Sequence, residues 1–500
     1  MSMGIAFHFP LLIIFLPALA AIAMPLIRKH ELARSLTLLV HFILAGSALW
    51  LTLSLWASPY THYTYLMGYF PSPFGNEVRI GMLEALLVCA FSIVMFFSVL
   101  GAGDDTNRDI RENKRSLYYC LINLLSSSLM ALVLVNDLFT AYVFLEVNTL
   151  AACAIIVIKE GRESLKATTR YLFLSVMGSG LFLLSTALLF SVTGHLLMEP
   201  LNYSITEMMA QGEYRTILTI TMLLFIVSIA VKSALFPFHT WLPDAHGSAT
   251  TSSSAILSGL VLKGYIVFLF KLLYRVYGLS LASELGMLTV LFLLGTIGMV
   301  AGSTLAIFQT KIKRLIAYSS VAQIGYIFMG MGLDTQGGFT AASFHILAHA
   351  FTKSMLFLSA GVLIRTSGSY DIAGLAGAGR KSKLAGAAFT VGALSMMGIP
   401  LFAGFVSKFY LAGAAVEGGG WAIWITMPIL ALSTFLNALY YFPVIAKIYS
   451  KEPAGITLPQ QPVAFSARAT LACLILANIA LGIFFPPILR ALETGFMGLG

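Results

Sequence analysis

AVKSALFPFHTWLPDA, residues 230–245, decides how the whole chain is read. It continues an apolar run, ITMLLFIVSIAV at 220–231, with the composition of a buried helix. Lys232 then interrupts that run, and Pro237 and Pro243 follow with His239, Trp241 and Asp244 among them. Proline removes a backbone donor and clashes with the preceding turn, so the helix is expected to break at Pro237 and Pro243.

The surroundings of this stretch are hydrocarbon-like. Hydrophobic residues make up 58% of the 500 and charged residues only 10%, against about 25% charged in soluble domains. Apolar runs of about 20 residues, each enough to cross roughly 30 Å of bilayer core, recur from end to end. They predict an all-α integral membrane protein with fourteen spans, at 5–26, 32–56, 80–101, 115–134, 138–158, 167–192, 216–246, 249–270, 283–305, 314–332, 338–363, 386–411, 422–446 and 468–488. The first run lacks a small-residue cleavage site and reads as a span, not a signal peptide. Cys89, Cys120, Cys153 and Cys473 lie far apart in apolar runs, which argues against an iron–sulfur or zinc site. No cofactor-binding or metal site is expected.

The basic residues orient this layout. With the N-terminus outside, twenty-one of thirty Lys and Arg fall in inner segments, five in outer ones and four inside spans. That bias supports an even span count with both termini on the outer face of a prokaryotic inner membrane. It also explains most of the net charge of +9 without any nucleic-acid partner.

Ionisable groups inside spans need a partner, a cavity or a function. Here they are Glu146, Lys232, Lys263, His345, His349, Lys353 and Lys408. Steps of four residues put His345, His349 and Lys353 on one helix face, spread over about 12 Å of axis. Histidine accepts and donates protons near neutral pH, so the set has the form of a relay. Taken singly, a buried histidine is as readily a structural hydrogen-bonding residue, and a Lys–Glu pair as readily a lock between two helices. Asp137 reads as a surface N-cap, and His239 and Asp244 as partners for backbone freed by the break. Glu146, Lys232, Lys263, His349 and Lys408, in five different spans, are harder to explain as helix glue.

A second interrupted span carries GIPLFAGFVSK at 398–408, with Pro400 and Gly404 ahead of Lys408. Two broken spans, one in each half of the chain, point to a transport site built from internal repeats.

NDLFTAYVFLE (136–146), KSALFPFHTWLPDA (232–245), KIKRLIAYSSVAQIGY (311–326), FHILAHAFTKSMLFLSAG (344–361) and GIPLFAGFVSK (398–408) together resemble the proton-conducting antiporter-like subunits of complex I, Mrp sodium/proton antiporters and membrane-bound hydrogenases. The resemblance covers nearly the whole chain. It implies two inverted five-helix repeats, spans 4–8 (115–274) and 9–13 (275–451), between an N-terminal segment (1–114) and a final helix (452–500), with spans 7 and 12 discontinuous. It further implies that Glu146 and Lys232 form the charge pair of a first half-channel. Lys263 is then the central connecting lysine, His345 or His349 continues the path, and Lys408 ends the second half-channel. Leu145 stands where the family often has Trp. HGSATTSSSA replaces the family's proline-rich turn after LPDA, so Ser and Thr are expected to cap span 8. No long lateral helix is expected after span 14. SGLVLKGYI around Lys263 looks more like the Mrp antiporters and the hydrogenases than like complex I.

The expected function is proton translocation within a multisubunit membrane complex, with other membrane subunits, the lipid bilayer and protons as partners. One alternative is a sodium carrier. Hard cations want several oxygen ligands, and an intramembrane set rich in Lys and His supplies few. A redox role lacks any glycine-rich nucleotide loop or cysteine cluster. A purely structural anchor leaves the buried charges without a reason.

Overall fold

The structure, a computed structural model, describes residues 7–58, 62–70, 75–212, 214–451 and 462–499. The expected first two residues of span 1, 5 and 6, fall outside them. Among the described residues thirteen helices are long and apolar enough to cross a membrane. They are Phe9–Leu26, His30–Trp56, Met82–Gly101, Glu112–Leu134, Leu138–Val157, Arg162–Thr193, Arg215–Lys232, Thr251–Tyr277, Met287–Ile307, Ile312–Gly332, Gln336–Ser367, Gly420–Ile448 and Phe465–Ile483. A broken pair, Lys383–Met397 and Ala403–Gly418, supplies the remaining crossing. These are spans 1–14 in chain order, the broken pair being span 12.

Helices dominate because a bilayer offers no water to backbone N–H and C=O groups, which must pair within their own segment. The one described sheet is a short hairpin, His62–Leu66 against Glu77–Gly81, with Tyr65 opposite Val78. A final helix, Phe485–Met497, packs on spans 3 and 11.

Spans 4–8 and 9–13 are two sets of five. An odd count makes the second set begin on the membrane face opposite to the first. Span 9 packs along span 10 and against span 13, and span 6 lies along span 7. Spans 8 and 11 are wholly buried at the centre, whereas spans 13 and 14 bury only 22% and 28% of their apolar windows. The interior ionisable groups are therefore carried mainly by helices that meet protein on every side.

Span 7 is shorter than 216–246. Arg215–Lys232 ends at the lysine, a turn follows, and the chain resumes as a short 3-10 turn, Phe238–Trp241, and the helix Leu242–Ser248. Pro237 lies in the interruption. Pro243 instead occupies the first turn of the second half-helix, where its missing N–H would lack a partner anyway. Ala234, with φ +57, turns the chain. In span 12 the break runs from Gly398 to Phe402, with Pro400 inside it. Gly404 lies beyond it, already helical. A Cβ there would sit 1.9 Å from the Ser395 carbonyl oxygen, so Gly404 lets the second half-helix close onto the first. Gly398, with φ +88, is the glycine that turns the backbone.

The HGSATTSSSA turn has a regular role. Thr250 caps span 8 by accepting the Ser253 N–H at 3.2 Å, as the Ser/Thr run suggests. Ser252 and Ser253 meet the Tyr118 hydroxyl of span 4, and Ser253 donates to the Ile155 carbonyl of span 5 at 3.1 Å.

Candidate functional site

Glu146 projects from span 5, and its Oε1 is buried without a hydrogen-bond partner. Lys232, fully buried, ends the first half of span 7. The two form no ion pair: the Lys232 ammonium donates to Thr149 Oγ at 2.8 Å, three residues beyond Glu146. Its stem lies against Gly178 of span 6, where a Cβ would come within 3.3 Å of Cγ. The ring of Tyr265, on span 8, lies 5.6 Å from the ammonium. Tyr265 donates to Asn148 Oδ1 at 2.8 Å, and Asn148 in turn donates to Ser128 Oγ at 3.0 Å. Spans 4, 5, 7 and 8 thus meet around one lysine.

Lys263 is fully buried on span 8, just after a π-helical turn, Leu257–Val261. Such widened turns are frequent at functional positions. Its ammonium donates to the Ser258 carbonyl within that turn. Ser258 Oγ also meets Ser320 Oγ of span 10 at 2.8 Å, which ties span 8 to span 10.

On span 11, His345 and His349 stack with ring centroids 6.0 Å apart. His345 Nδ1 is 2.7 Å from Ser407 Oγ, next to Lys408, and its ring stacks on Tyr326. Both nitrogens of His349 are buried without a partner. Lys353 shares their helix but leaves their line. Its ammonium donates to the Ile316 carbonyl at 3.1 Å and to Ser319 Oγ, both on span 10.

Lys408 lies across the second break. It donates to the Met396 and Met397 carbonyls at 2.9 and 3.1 Å and faces the Tyr326 ring at 4.7 Å. These carbonyls end the first half of span 12, where helix termini leave unpaired acceptors and negative partial charge. Asn437 of span 13 donates to the same Met396 carbonyl at 3.1 Å.

Six of the seven residues therefore lie at the two breaks and on the two central helices, and Glu146 lies on span 5, beside the first break. Among the described residues none of them is in an ion pair, and the lysines rest on neutral oxygens. The candidate break residues sort differently: Pro237 and Pro400 interrupt helices, Pro243 starts one and Gly404 allows close packing.

With that geometry in place, the sequence pattern of the family described as NADH:quinone oxidoreductase/Mrp antiporter, TM matches residues 135–434. The chain belongs to this family. It is 33% identical to NADH-quinone oxidoreductase subunit N of Desulforudis audaxviator, over 92% of this chain and 90% of that one. It is 28% identical to the putative antiporter subunit mnhD2 of Staphylococcus aureus, over 85% and 82%. Among solved structures it resembles a chain of the archaeal membrane-bound sulfane sulfur reductase, at 26% identity and TM-score 0.86, covering 98% of this chain and 97% of that one. A chain of the Dietzia Mrp complex shares the fold at 21% identity and TM-score 0.87, covering 99% and 98%. The protein is thus an antiporter-like membrane subunit of the kind built into Mrp, complex I and membrane-bound oxidoreductase assemblies. The identities are spread across these groups, and 33% to a subunit N sets a complex I-type relative beside the Mrp-like features of SGLVLKGYI.

A second buried charge group, near the hairpin, escaped the sequence reading. Lys271 and Arg275 are not loop residues but lie inside span 8. Lys271 donates to the Val135 carbonyl at 3.0 Å and stands 3.7 Å from Glu84. Arg275 donates to Asn136 Oδ1, and Arg79 to the Gly498 carbonyl at 2.6 Å. The available signal was Glu84, a carboxylate inside the run GMLEALLV. Lys313, counted as a loop charge, is likewise buried and donates to the Ala249 carbonyl at 2.7 Å. At the opposite end Asp105, between spans 3 and 4, pairs with Arg108 and Arg365 at 3.7 and 3.9 Å. Burial pushes its carboxyl above the usual range.

Proposed function

We propose that this subunit moves protons along the membrane midplane, through Glu146 and Lys232, then Lys263, His345 and His349 with Lys353, to Lys408. The observation that carries the reading is the absence, among the described residues, of any ion pair at these seven positions. A buried charge kept for structure is normally neutralised by a counter-charge, because removing it from water costs several kcal/mol. Here the ammonium groups rest on hydroxyls and carbonyls, and an imidazole and a carboxylate oxygen have none. A proton can be lost from such a lysine without leaving an anion behind. Protons then pass stepwise, each transfer changing the field at the next group.

On this reading the face bearing the Arg- and Lys-rich loops is the inner face of a prokaryotic cell membrane, with both termini outside. The complex is an Mrp-type antiporter or an energy-converting oxidoreductase. Any sodium flux runs through partner subunits, since Glu146 is the one carboxylate of the set and cations need several oxygens.

The test is proton pumping by the intact complex carrying Lys232→Ala or Glu146→Ala. Pumping is expected to vanish in both while the complex assembles. Parent-level pumping in both variants sinks the proposal. Sodium transport by vesicles holding this chain alone would favour the carrier reading instead.

A further inference from the structure

A cavity of about 530 Å³ opens on the basic-loop face, where span 4 begins, span 5 ends and span 6 begins. None of the seven residues of the midplane series lines it. Its rim is charged, with Lys114, Glu160 and Arg162, and its floor is apolar, with Leu117, Leu121, Ala154, Val157 and Leu165. That order follows from the chain directions. Span 4 runs into the membrane from the turn that holds Lys114, span 5 comes out just before Glu160, and span 6 returns from Arg162. Each helix therefore offers charge at the surface and carbon beneath it. Leu121 lies seven residues past Lys114, about 10 Å deeper. Leu117 and Leu165 are 46% and 60% exposed, so the described chain leaves the floor open.

The rim carries more positive charge than it neutralises. Glu160 pairs with Arg111 at 2.9 Å and also with Lys114. Arg162 is in no ion pair among the described residues. The nearby carboxylates are engaged elsewhere: Glu163 lines the next notch with Lys166 and Arg170, and Glu112 stands 3.9 Å from His30. Three cations, Arg111, Lys114 and Arg162, thus stand against one carboxylate, which leaves two positive charges uncompensated. Basic pockets between membrane helices take anionic headgroups, and acyl methylenes add affinity wherever carbon receives them. An acidic protein segment matches the rim alone.

We infer that this cavity binds an anionic phospholipid, with its phosphate on Arg162 and Lys114 and one acyl chain laid over Leu117, Leu121 and Val157. Lipid seated there braces the end of span 5, the helix that carries Glu146 and Thr149. The site stands on the chemistry of the cavity and does not depend on the proton route.

The test uses the intact complex in detergent, stripped of lipid and then supplied with phosphatidylglycerol or phosphatidylcholine. Phosphatidylglycerol is expected to bind more tightly and to raise the melting temperature, and equal affinity for the two lipids overturns the site. Arg162→Gln removes the unpaired cation from an exposed position. It is expected to weaken phosphatidylglycerol about fivefold and leave phosphatidylcholine unchanged. Ala154→Phe fills the floor, keeps every rim charge and is expected to weaken phosphatidylglycerol several-fold. Parent affinity in both variants overturns the site, as does full stabilisation by inorganic phosphate alone. A phosphatidylglycerol with a photoactivatable acyl chain then locates it. Adducts within residues 114–165 of this chain support the assignment, and adducts confined to a neighbouring subunit overturn it in favour of a protein contact.

Discussion

The two broken spans use one device in opposite ways. In span 7 the lysine ends the first half-helix and turns away from the break, to a single hydroxyl on span 5. In span 12 the lysine comes from the second half-helix and reaches back to the carbonyl end of the first. Lys232 has one hydrogen-bond acceptor and an aromatic ring. Lys408 has two carbonyls, an aromatic ring and Thr434 Oγ at 3.5 Å. Lys232 is thus held by fewer acceptors than Lys408. Packing follows the same division. Gly178 is only moderately tight, with a Cβ there 3.3 Å from Lys232 Cγ and the Ser228 carbonyl, whereas Gly404 is pressed onto the Ser395 carbonyl and Gly482 onto that of Leu401.

The largest contrast is expected from filling those glycines. Gly404→Ala puts a methyl group 1.9 Å from a backbone oxygen that cannot rotate away. Overpacking of that kind costs about 3 kcal/mol or more, and the assembled complex is expected to be lost from membranes. Gly178→Ala meets its neighbours at 3.3 Å, one of them the flexible stem of Lys232, and is expected to assemble. Quantifying complex in purified membranes decides it. Equal yields for the two variants would remove the distinction between a tight break and a loose one.

A smaller difference is expected from the lysines themselves. Lys408→Met leaves the Met397 carbonyl at the half-helix end short of a donor, an unmet group costing about 1–3 kcal/mol, while the Met396 carbonyl keeps Asn437. Lys232→Met leaves only Thr149, whose hydroxyl already donates to the Leu145 carbonyl at 2.9 Å. Both substitutions remove the cost of burying an ammonium. The measurable quantity is therefore their difference, and Lys408→Met should melt below Lys232→Met in the detergent-solubilised complex. The reverse order would mean that Lys232 is the anchor.

Much of this arrangement was legible in the residues. Span count, the two interruptions and the buried lysines follow from apolar run length and from charges that do not belong in it. What was not legible is direction. Lys232 at the end of a half-helix and Lys408 six residues into the next half look alike in sequence, since each merely neighbours a proline. Lys353 fell on the histidine face by spacing, yet a long side chain reached span 10 instead. Lys271 and Arg275 were lost because a run-length rule ends a span where charges recur within a few residues, and span 8 continues through both to Tyr277. Glu84, across from them in span 3, is what makes that continuation tolerable.

A loosely held lysine should also respond to its one acceptor. Thr149→Val deletes the oxygen that receives Lys232 and leaves the shape of span 5 intact. The lost hydrogen bond to a charged group is worth about 1.5–3 kcal/mol locally, and Glu146, three residues away with a free buried oxygen, is the next acceptor available. The variant is expected to close the Glu146–Lys232 pair and slow pumping several-fold, while Thr149→Ser restores the parent rate. If Thr149→Ser is as slow as Thr149→Val, the hydroxyl is not what holds the lysine.

The smallest effect concerns the turns. Span 12 bends at Gly398, which takes φ +88 without penalty, and again at Leu401 with φ +85, while span 7 bends at Ala234 with φ +57. A left-handed conformation costs a residue with a Cβ roughly 1–2 kcal/mol. Ala234→Gly removes that strain and also loosens the unfolded chain, which opposes the gain by up to about 1 kcal/mol. A net change within about 1 kcal/mol is therefore expected. Gly398→Ala introduces strain and also sets the new Cβ 2.8 Å from Lys408 Cδ, and together these outweigh the stiffer unfolded chain. Thermal melts of the two variants should bracket the parent, with Gly398→Ala clearly below it and Ala234→Gly at or slightly above. A fall in both would mean that the Ala234 side chain contributes packing that outweighs its backbone strain, and that the first break is less loose than its lysine implies.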